Sequence, residues 1–236
     1  MNARLGNRLL DALPAPHAGE ILATARIVRV RRGETTTVQD RIMEHVDFPI
    51  SALMSVKGTL ENGTVYEVAS VGSEAFVEID AALSADVALR SGECQFDGEV
   101  ARMALRDFQS ALERSRPFAV LVRHAVRART FVTEQTAMCN LRHDIVQRLA
   151  RWLLTSYDRL QRPDFDVTHE YLATILGVRR AGVSTAAAEL ERQGALDQQR
   201  GNVMIRDADR LAAMACECYA VCRDAIDESL RPPPRG

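Results

Sequence analysis

The sequence predicts an α+β fold: a strand-rich N-terminal region, one long helix, and a small helical C-terminal domain ending in a β-hairpin. Three observations predict it. Between Glu20 and about Glu99, short β-type runs alternate with turn residues. From Pro117 to about Arg142 an uninterrupted helical pattern follows. Asp166 to Arg206 then reads as a helix, a glycine-bearing turn, a second helix and a hairpin. A length of 236 residues fits two domains more easily than one. With 47% hydrophobic and 26% charged residues, the chain can bury an ordinary globular core. The net charge of −2 excludes a globally basic nucleic-acid binder and leaves room only for a local basic footprint.

Met1 to Leu13 is expected as a short amphipathic helix, with Leu5, Leu9, Leu10 and Leu13 at helical spacing before Pro14 and Pro16. Strands are expected at Ile27–Val30, Thr35–Val38, Ile50–Val56, Tyr66–Val71 and Phe96–Val100. Asn62-Gly63 between two such runs is a hairpin signal. Many short strands at close spacing imply a sandwich or roll. His45 is the only histidine between His17 and His124, so the roll cannot supply the histidine cluster of a metal-dependent cupin-type enzyme. No nucleophile constellation or phosphate-cradling loop is present, and the chain is not expected to be an enzyme or to carry a cofactor or metal.

Leu105–Glu113 is expected as a short helix, and Ser115-Arg116-Pro117 opens the long one, Pro being tolerated in a first turn. Leu121, Ala125, Ala128, Val132, Gln135 and Cys139 recur at alternating intervals of four and three. That is the 3.5-residue spacing of a coiled-coil seam, and these six residues are the expected dimer contacts. His143-Asp144 breaks the helix, with Asp144 suited to cap the next, Ile145–Tyr157, which presents Val146, Leu149, Trp152 and Leu153 to the C-terminal domain. Arg162-Pro163-Asp164 is expected as a loop.

Val167–Leu176 is helical by spacing, and Gly177 stands where a positive φ ends the helix. The next helix runs from Arg180 to about Gln193, with Val183, Ala187 and Leu190 inward. Ala195-Leu196 and Val203–Ile205 form the hairpin strands, joined near Arg200-Gly201-Asn202. A second helix so placed can enter a major groove with the hairpin as a wing. Its outward face carries Arg180, Ala181, Ser184, Thr185 and Ala188: small and hydroxyl side chains that permit close approach, and an arginine able to bond guanine. Thr168 and His169 lie at a helix start, where backbone N–H groups suit a phosphate.

Asp166–Arg206 resembles the winged helix-turn-helix of the Crp/Fnr family of bacterial transcription regulators. The likeness extends upstream through Cys139–His143 and Gln147–Leu154, and Leu176–Val183 resembles a branch without an assigned cyclic-nucleotide ligand. The resemblance implies a double-stranded β-helix like cyclic-nucleotide-binding domains (1–116), a dimerisation helix (117–142), a winged helix-turn-helix (143–210) and a C-terminal helix and tail (211–236). It implies double-stranded DNA as partner of a homodimer, and leaves RNA polymerase and a small-molecule effector open. Arg180, Ala181, Ser184 and Thr185 would face bases, Arg179 a phosphate at the helix start, and Thr168, His169 and Arg200 the backbone. Ala181 and Thr185 stand where the best-known members carry glutamate and a second arginine, so a different half-site is expected. Gly72-Ser73-Glu74 stands where the family's ribose-binding segment lies, but Ala82–Val87 holds no arginine for the cyclic phosphate and Asp86 would repel it. The roll is therefore expected not to bind cyclic AMP, and Phe76, Val77, Ile79 and Leu83 either fill its core or line a cavity for a different ligand. A sensing module that acts through a protein partner is the competing reading.

Asp207–Leu230 is expected as one helix, on which Cys218 and Cys222 share an apolar face and Cys216 points nearly the other way. That geometry favours structural thiols over a metal site and makes Cys139, on the expected seam, the redox candidate. No signal peptide or membrane-length apolar run is visible. The expectation is a cytoplasmic protein whose five cysteines are free.

Overall fold

The computed structural model describes residues 5–199 and 201–231. Two compact units make up the chain: residues up to Thr130 together with those from Ala225 onward, and Phe131–Asp224. These divide the chain elsewhere than the expected boundaries at 116 and 142.

The first unit opens with two short helices, α1 (Arg8–Asp11) and α2 (Ala15–Ala23). The helix expected over Met1–Leu13 is shorter among the described residues, and Pro14, which fits the position ahead of a helix, precedes a second one that was not expected and runs past Glu20. Residues 1–4 lie outside the described residues. Asn7 caps α1 and its amide donates to the carbonyls of Pro49 and Ala75, pinning the helix to the roll.

Seven strands form the roll: β1 (Ala25–Val30), β2 (Thr35–Thr37), β3 (His45–Pro49), β4 (Leu53–Thr59), β5 (Val65–Val71), β6 (Ser91–Phe96) and β7 (Gly98–Ala104). They make two antiparallel sheets, ordered β1-β7-β3 and β2-β6-β4-β5. Asn62-Gly63 sits in the β4–β5 hairpin, with Gly63 at φ +82°. The run expected as one strand over Phe96–Val100 is a turn at Asp97 between β6 and β7, and β3 was not expected. Phe48, Phe76, Phe108 and Phe118 stack in the interior at centroid separations of 5.6–6.4 Å. Of the residues expected to fill the core or line a cavity, Phe76 and Val77 are buried, whereas Leu83 is 65% exposed.

Helices α3 (Leu105–Arg114) and α4 (Arg116–Arg142) follow. Leu121 and Ala125 of α4 are buried in the roll's core cluster, and Ala128 and Cys139 are buried within their own chain as well. Val132 and Gln135 are half-buried. The stripe expected as a dimer seam is therefore the inward face of α4. A long helix lying on its own subunit must bury one stripe, and the 3.5-residue spacing does not distinguish that stripe from an intersubunit one. Facing solvent instead are Phe131, Met138 and Leu141, seven and three residues apart, with Leu141 82% exposed.

In the second unit α5 (Ile145–Leu160) starts at a full capping box: the Asp144 carboxylate accepts from the Gln147 N–H, and the Gln147 side chain accepts from the Asp144 N–H. Helices α6 (His169–Leu176) and α7 (Arg180–Arg192) precede a three-stranded sheet ordered β8-β10-β9, from β8 (Asp164–Asp166), β9 (Leu196–Gln199) and β10 (Asn202–Ile205). The final helix expected over Asp207–Leu230 is two, α8 (Ala208–Met214) and α9 (Cys218–Ser229). Ala215 between them is extended at ψ 159°. This break overturns the expectation that Cys216 points away from Cys218: both are buried in one cluster with Cys139. Among the described residues no helix is long and apolar enough to cross a membrane.

Candidate nucleic-acid interface

Local chemistry fixes the angle between α6 and α7. The Thr168 hydroxyl accepts the Tyr171 N–H and caps α6. Gly177 ends that helix at φ +63°, and the Val178 N–H turns back to the Ala173 carbonyl. Arg179, in extended conformation, precedes α7. Val183, Ala186, Ala187 and Leu190 of α7 are buried. A Cβ at Gly182 would come within 2.9 Å of Ile145 Cδ1, so glycine lets α7 lie close on α5.

The other side of α7 is open. Arg180, Ala181, Thr185 and Ala188 are exposed, as are Thr168 and Arg179. The Arg180 side chain is 71% exposed and its nearest carboxylate, Glu170, is 4.0 Å away, so the guanidinium is loosely held. The Thr185 hydroxyl donates to the Ala181 carbonyl at 3.1 Å. At the far end of the helix Glu189 holds Arg192 through two bonds, and that pairing lowers the Glu189 carboxyl below its usual range.

Two residues expected to touch DNA are engaged inside the domain. His169 Nδ1 lies 2.9 Å from Ser184 Oγ, and its Nε2 lies 2.8 Å from Gln198 Oε1. The imidazole is thereby a bracket between α6, α7 and β9, and neither ring nitrogen is turned to a phosphate. Ser184 is half-buried, and its hydroxyl also contacts the Arg180 carbonyl. Gln198 and Glu191, not anticipated from the sequence, complete the arrangement. The Glu191 carboxylate accepts from the Gln198 backbone N–H at 2.9 Å and from its amide at 3.2 Å. That fixes the amide orientation, so Gln198 Oε1 accepts from His169 Nε2–H. The spacing of Glu191 seven residues ahead of Gln198 gave no signal, because the link runs across a turn. Arg200, expected on the wing, lies outside the described residues.

The roll interior holds a second polar constellation. Asp47 takes a two-pronged bond from Arg102, its neighbour across β3 and β7, at 2.7 and 2.8 Å. Burial pushes the Asp47 carboxyl up, but the bonds from Arg102 and the imidazole of His45 nearby outweigh it and the net displacement is downward. Glu78 accepts from the Thr37 hydroxyl at 2.5 Å and from the Asp47 N–H at 2.8 Å. Its carboxyl is raised to about 7, first by burial and then by the negative charge of Asp47. Arg129 of α4 donates to the carbonyls of Phe76 and Val77 at 3.3 and 2.7 Å.

Residues 147–214 match the model of the Crp-like helix-turn-helix domain. A Crp/Fnr-family transcriptional regulator from Eubacterium rectale is similar in structure at a TM-score of 0.65 and 16% identity, over 87% of this chain and 96% of that one. A CRP-family transcriptional regulator from Thermus thermophilus gives 0.65 and 19% over 80% and 96%. FixK2 from Bradyrhizobium japonicum gives 0.64 and 17% over 81% and 98%. Among curated protein sequences none matches this one.

Proposed function

We propose that this chain, which has the fold of the Crp/Fnr regulators and carries a Crp-like helix-turn-helix domain, acts as a homodimer that reads a two-fold symmetric DNA site with α7. The carrying observation is the outer face of α7: Arg180, Ala181, Thr185 and Ala188 are exposed together on a helix whose opposite side is fully packed. A helix anchored on one side, with small residues and one loosely held arginine on the other, suits close approach to base edges. Arg180 is assigned to a base, Arg179 to a phosphate beside it, and Thr185 and Ala181 to van der Waals or hydroxyl contacts. Thr168 and the N-terminal N–H groups of α6 are assigned to the backbone, as is Arg200. Ser184 and His169 are positioning residues in this reading.

Dimerisation is assigned to the exposed stripe of α4 containing Phe131, Met138 and Leu141. Pairing would place the two recognition helices on half-sites about one helical turn apart. The roll is proposed not to bind cyclic AMP. In support, Ala82–Val87 offers no cation for a phosphodiester, and Asp86 adds a negative charge, its carboxylate taking a bond from Gln109. Selecting bound sequences from random duplex DNA with the purified protein tests the reading. An inverted repeat with two protected half-sites supports it, and the absence of any enriched sequence at moderate salt refutes it.

A further inference from the structure

Four metal-ligating side chains outside the reading face meet within the unit Phe131–Asp224. Cys139 lies in the last turn of α4, and His143 follows one turn later, on the same side of the chain. Cys216 occupies the break between α8 and α9, and Cys218 opens α9. Their donor atoms all lie within 4.8 Å of one another. Cys139 Sγ is 3.5 Å from Cys216 Sγ, and Cys218 Sγ is 3.6 Å from His143 Nδ1. A tetrahedral zinc ion with its usual bond lengths holds thiolate sulfurs about 3.8 Å apart and a sulfur and an imidazole nitrogen about 3.5 Å apart. Both observed pairs already stand near those spacings. We propose that Cys139, His143, Cys216 and Cys218 bind one zinc ion, which ties the end of α4 to the α8–α9 corner.

The surroundings are those a metal site needs. His143 Nε2 lies 3.2 Å from the Glu217 carboxylate, which takes its N–H and leaves the Nδ1 lone pair facing the sulfurs. The Gln135 amide donates to Cys218 Sγ at 3.1 Å, a bond that favours a thiolate. Arg151 Nη1 is buried without a hydrogen-bond partner, and Arg151 acts electrostatically on Cys139. Three thiolates and one Zn²⁺ carry a net charge of −1, which that guanidinium would offset. Binding breaks three S–H bonds and forms three Zn–S bonds and one Zn–N bond; the three protons leave to solvent, and nothing is oxidised. Soft sulfur with imidazole in a four-donor set selects zinc over the harder divalent ions. The break at Ala215–Glu217 contains neither Pro nor Gly. Its effect is to put Cys216 and Cys218 on the same cluster, where a straight helix would set them about 200° apart.

The test uses the full chain, purified with a thiol reductant, dialysed against zinc chloride and analysed for bound metal. One zinc per chain is expected. Replacing it with cobalt chloride should give the intense visible bands of a tetrahedral ion and a thiolate-to-cobalt charge-transfer band. C216S and C218S should abolish stoichiometric zinc, while C222S and C94S should retain it. Glu217→Gln keeps all four ligands and should weaken zinc binding about 10- to 100-fold. Because a cysteine variant could misfold, the cobalt spectrum of the unaltered chain is decisive by itself. A pale octahedral spectrum, no retained zinc, unchanged stoichiometry in C216S and C218S, or a Cys139–Cys216 disulfide in the reduced preparation would overturn the proposal.

Discussion

Glu78 Oε2 accepts the backbone N–H of Asp47 at 2.8 Å, so two buried carboxyl groups share one pocket of the roll while only one of them meets a guanidinium. Asp47 has Arg102; Glu78 has the Thr37 hydroxyl and a backbone amide. Like charges in a shared site cannot both ionise freely, and the partner of the cation wins.

That arrangement sets a pH dependence. Glu78 is held at about 7 against an ordinary 4.5, so it binds its proton more tightly when folded. Its stabilising contribution is full below the unfolded value and is lost as pH rises through the folded one, a change on the order of 3 kcal/mol. Asp47, displaced downward, contributes above its ordinary 3.8 and loses that only as pH falls further, outside this window. Glu78→Gln keeps an acceptor for the Asp47 N–H and puts an amide beside the Thr37 hydroxyl, without a titrating group. It should match the parent near pH 5 and exceed it in urea midpoint near pH 8. Parallel pH profiles for the two proteins would contradict the assignment.

Arg180→Ala should lower affinity for the selected site by about 1–3 kcal/mol and relax preference at one base pair of each half-site. Arg179→Ala should weaken selected and random DNA equally and flatten the salt dependence by about one unit of slope. Competition binding against random duplex at two salt concentrations separates them. Equal losses on both DNAs for Arg180→Ala would remove it from base recognition.

The helix–turn–helix was legible because its signals are local. Gly177, the apolar spacing around Val183 and Leu190, and the Asp144 cap each act within a few residues of where they stand. What escaped depends on contacts across the chain. His45–Pro49 contains a histidine, an aspartate and a terminal proline, and forms a buried edge strand whose Asp47 is neutralised by Arg102 across the pairing with β7. The break at Cys216 has no turn-forming residue to announce it; the cluster with Cys139 and Cys218 accompanies it. On the reading face, Ser184 and Thr185 look equivalent in sequence, and only the position of His169 separates the engaged hydroxyl from the exposed one.

The exposed stripe on α4 predicts where association can be broken. Met138→Glu with Leu141→Glu places charge on residues that are 52% and 82% exposed in the single chain, so the fold should tolerate both. Sedimentation should shift the protein to monomer, and DNA affinity should fall because the second half-site is no longer tethered. Leu121→Glu, by contrast, buries a charge in the roll's core cluster and should unfold it. A Met138/Leu141 double variant that still sediments as a dimer would move the interface elsewhere.

His169 gives the last prediction, one that distinguishes a bracket from a contact. Removing the imidazole in His169→Ala strands Ser184 Oγ and Gln198 Oε1 without their shared partner, at a net cost of about 1–2 kcal/mol for two side-chain bonds in a partly buried site. The wing strand β9 keeps its pairing with β10 and its link to Glu191, so the domain should still fold. Its hairpin should exchange amide hydrogens faster, and affinity should fall alike for selected and random DNA, since no base contact is lost. His169→Gln, able to reach one of the two partners, should fall between. A variant with unchanged stability and hairpin exchange but a reduced salt slope would instead make His169 a direct phosphate ligand, because only that role neutralises a charge on the DNA without supporting the fold.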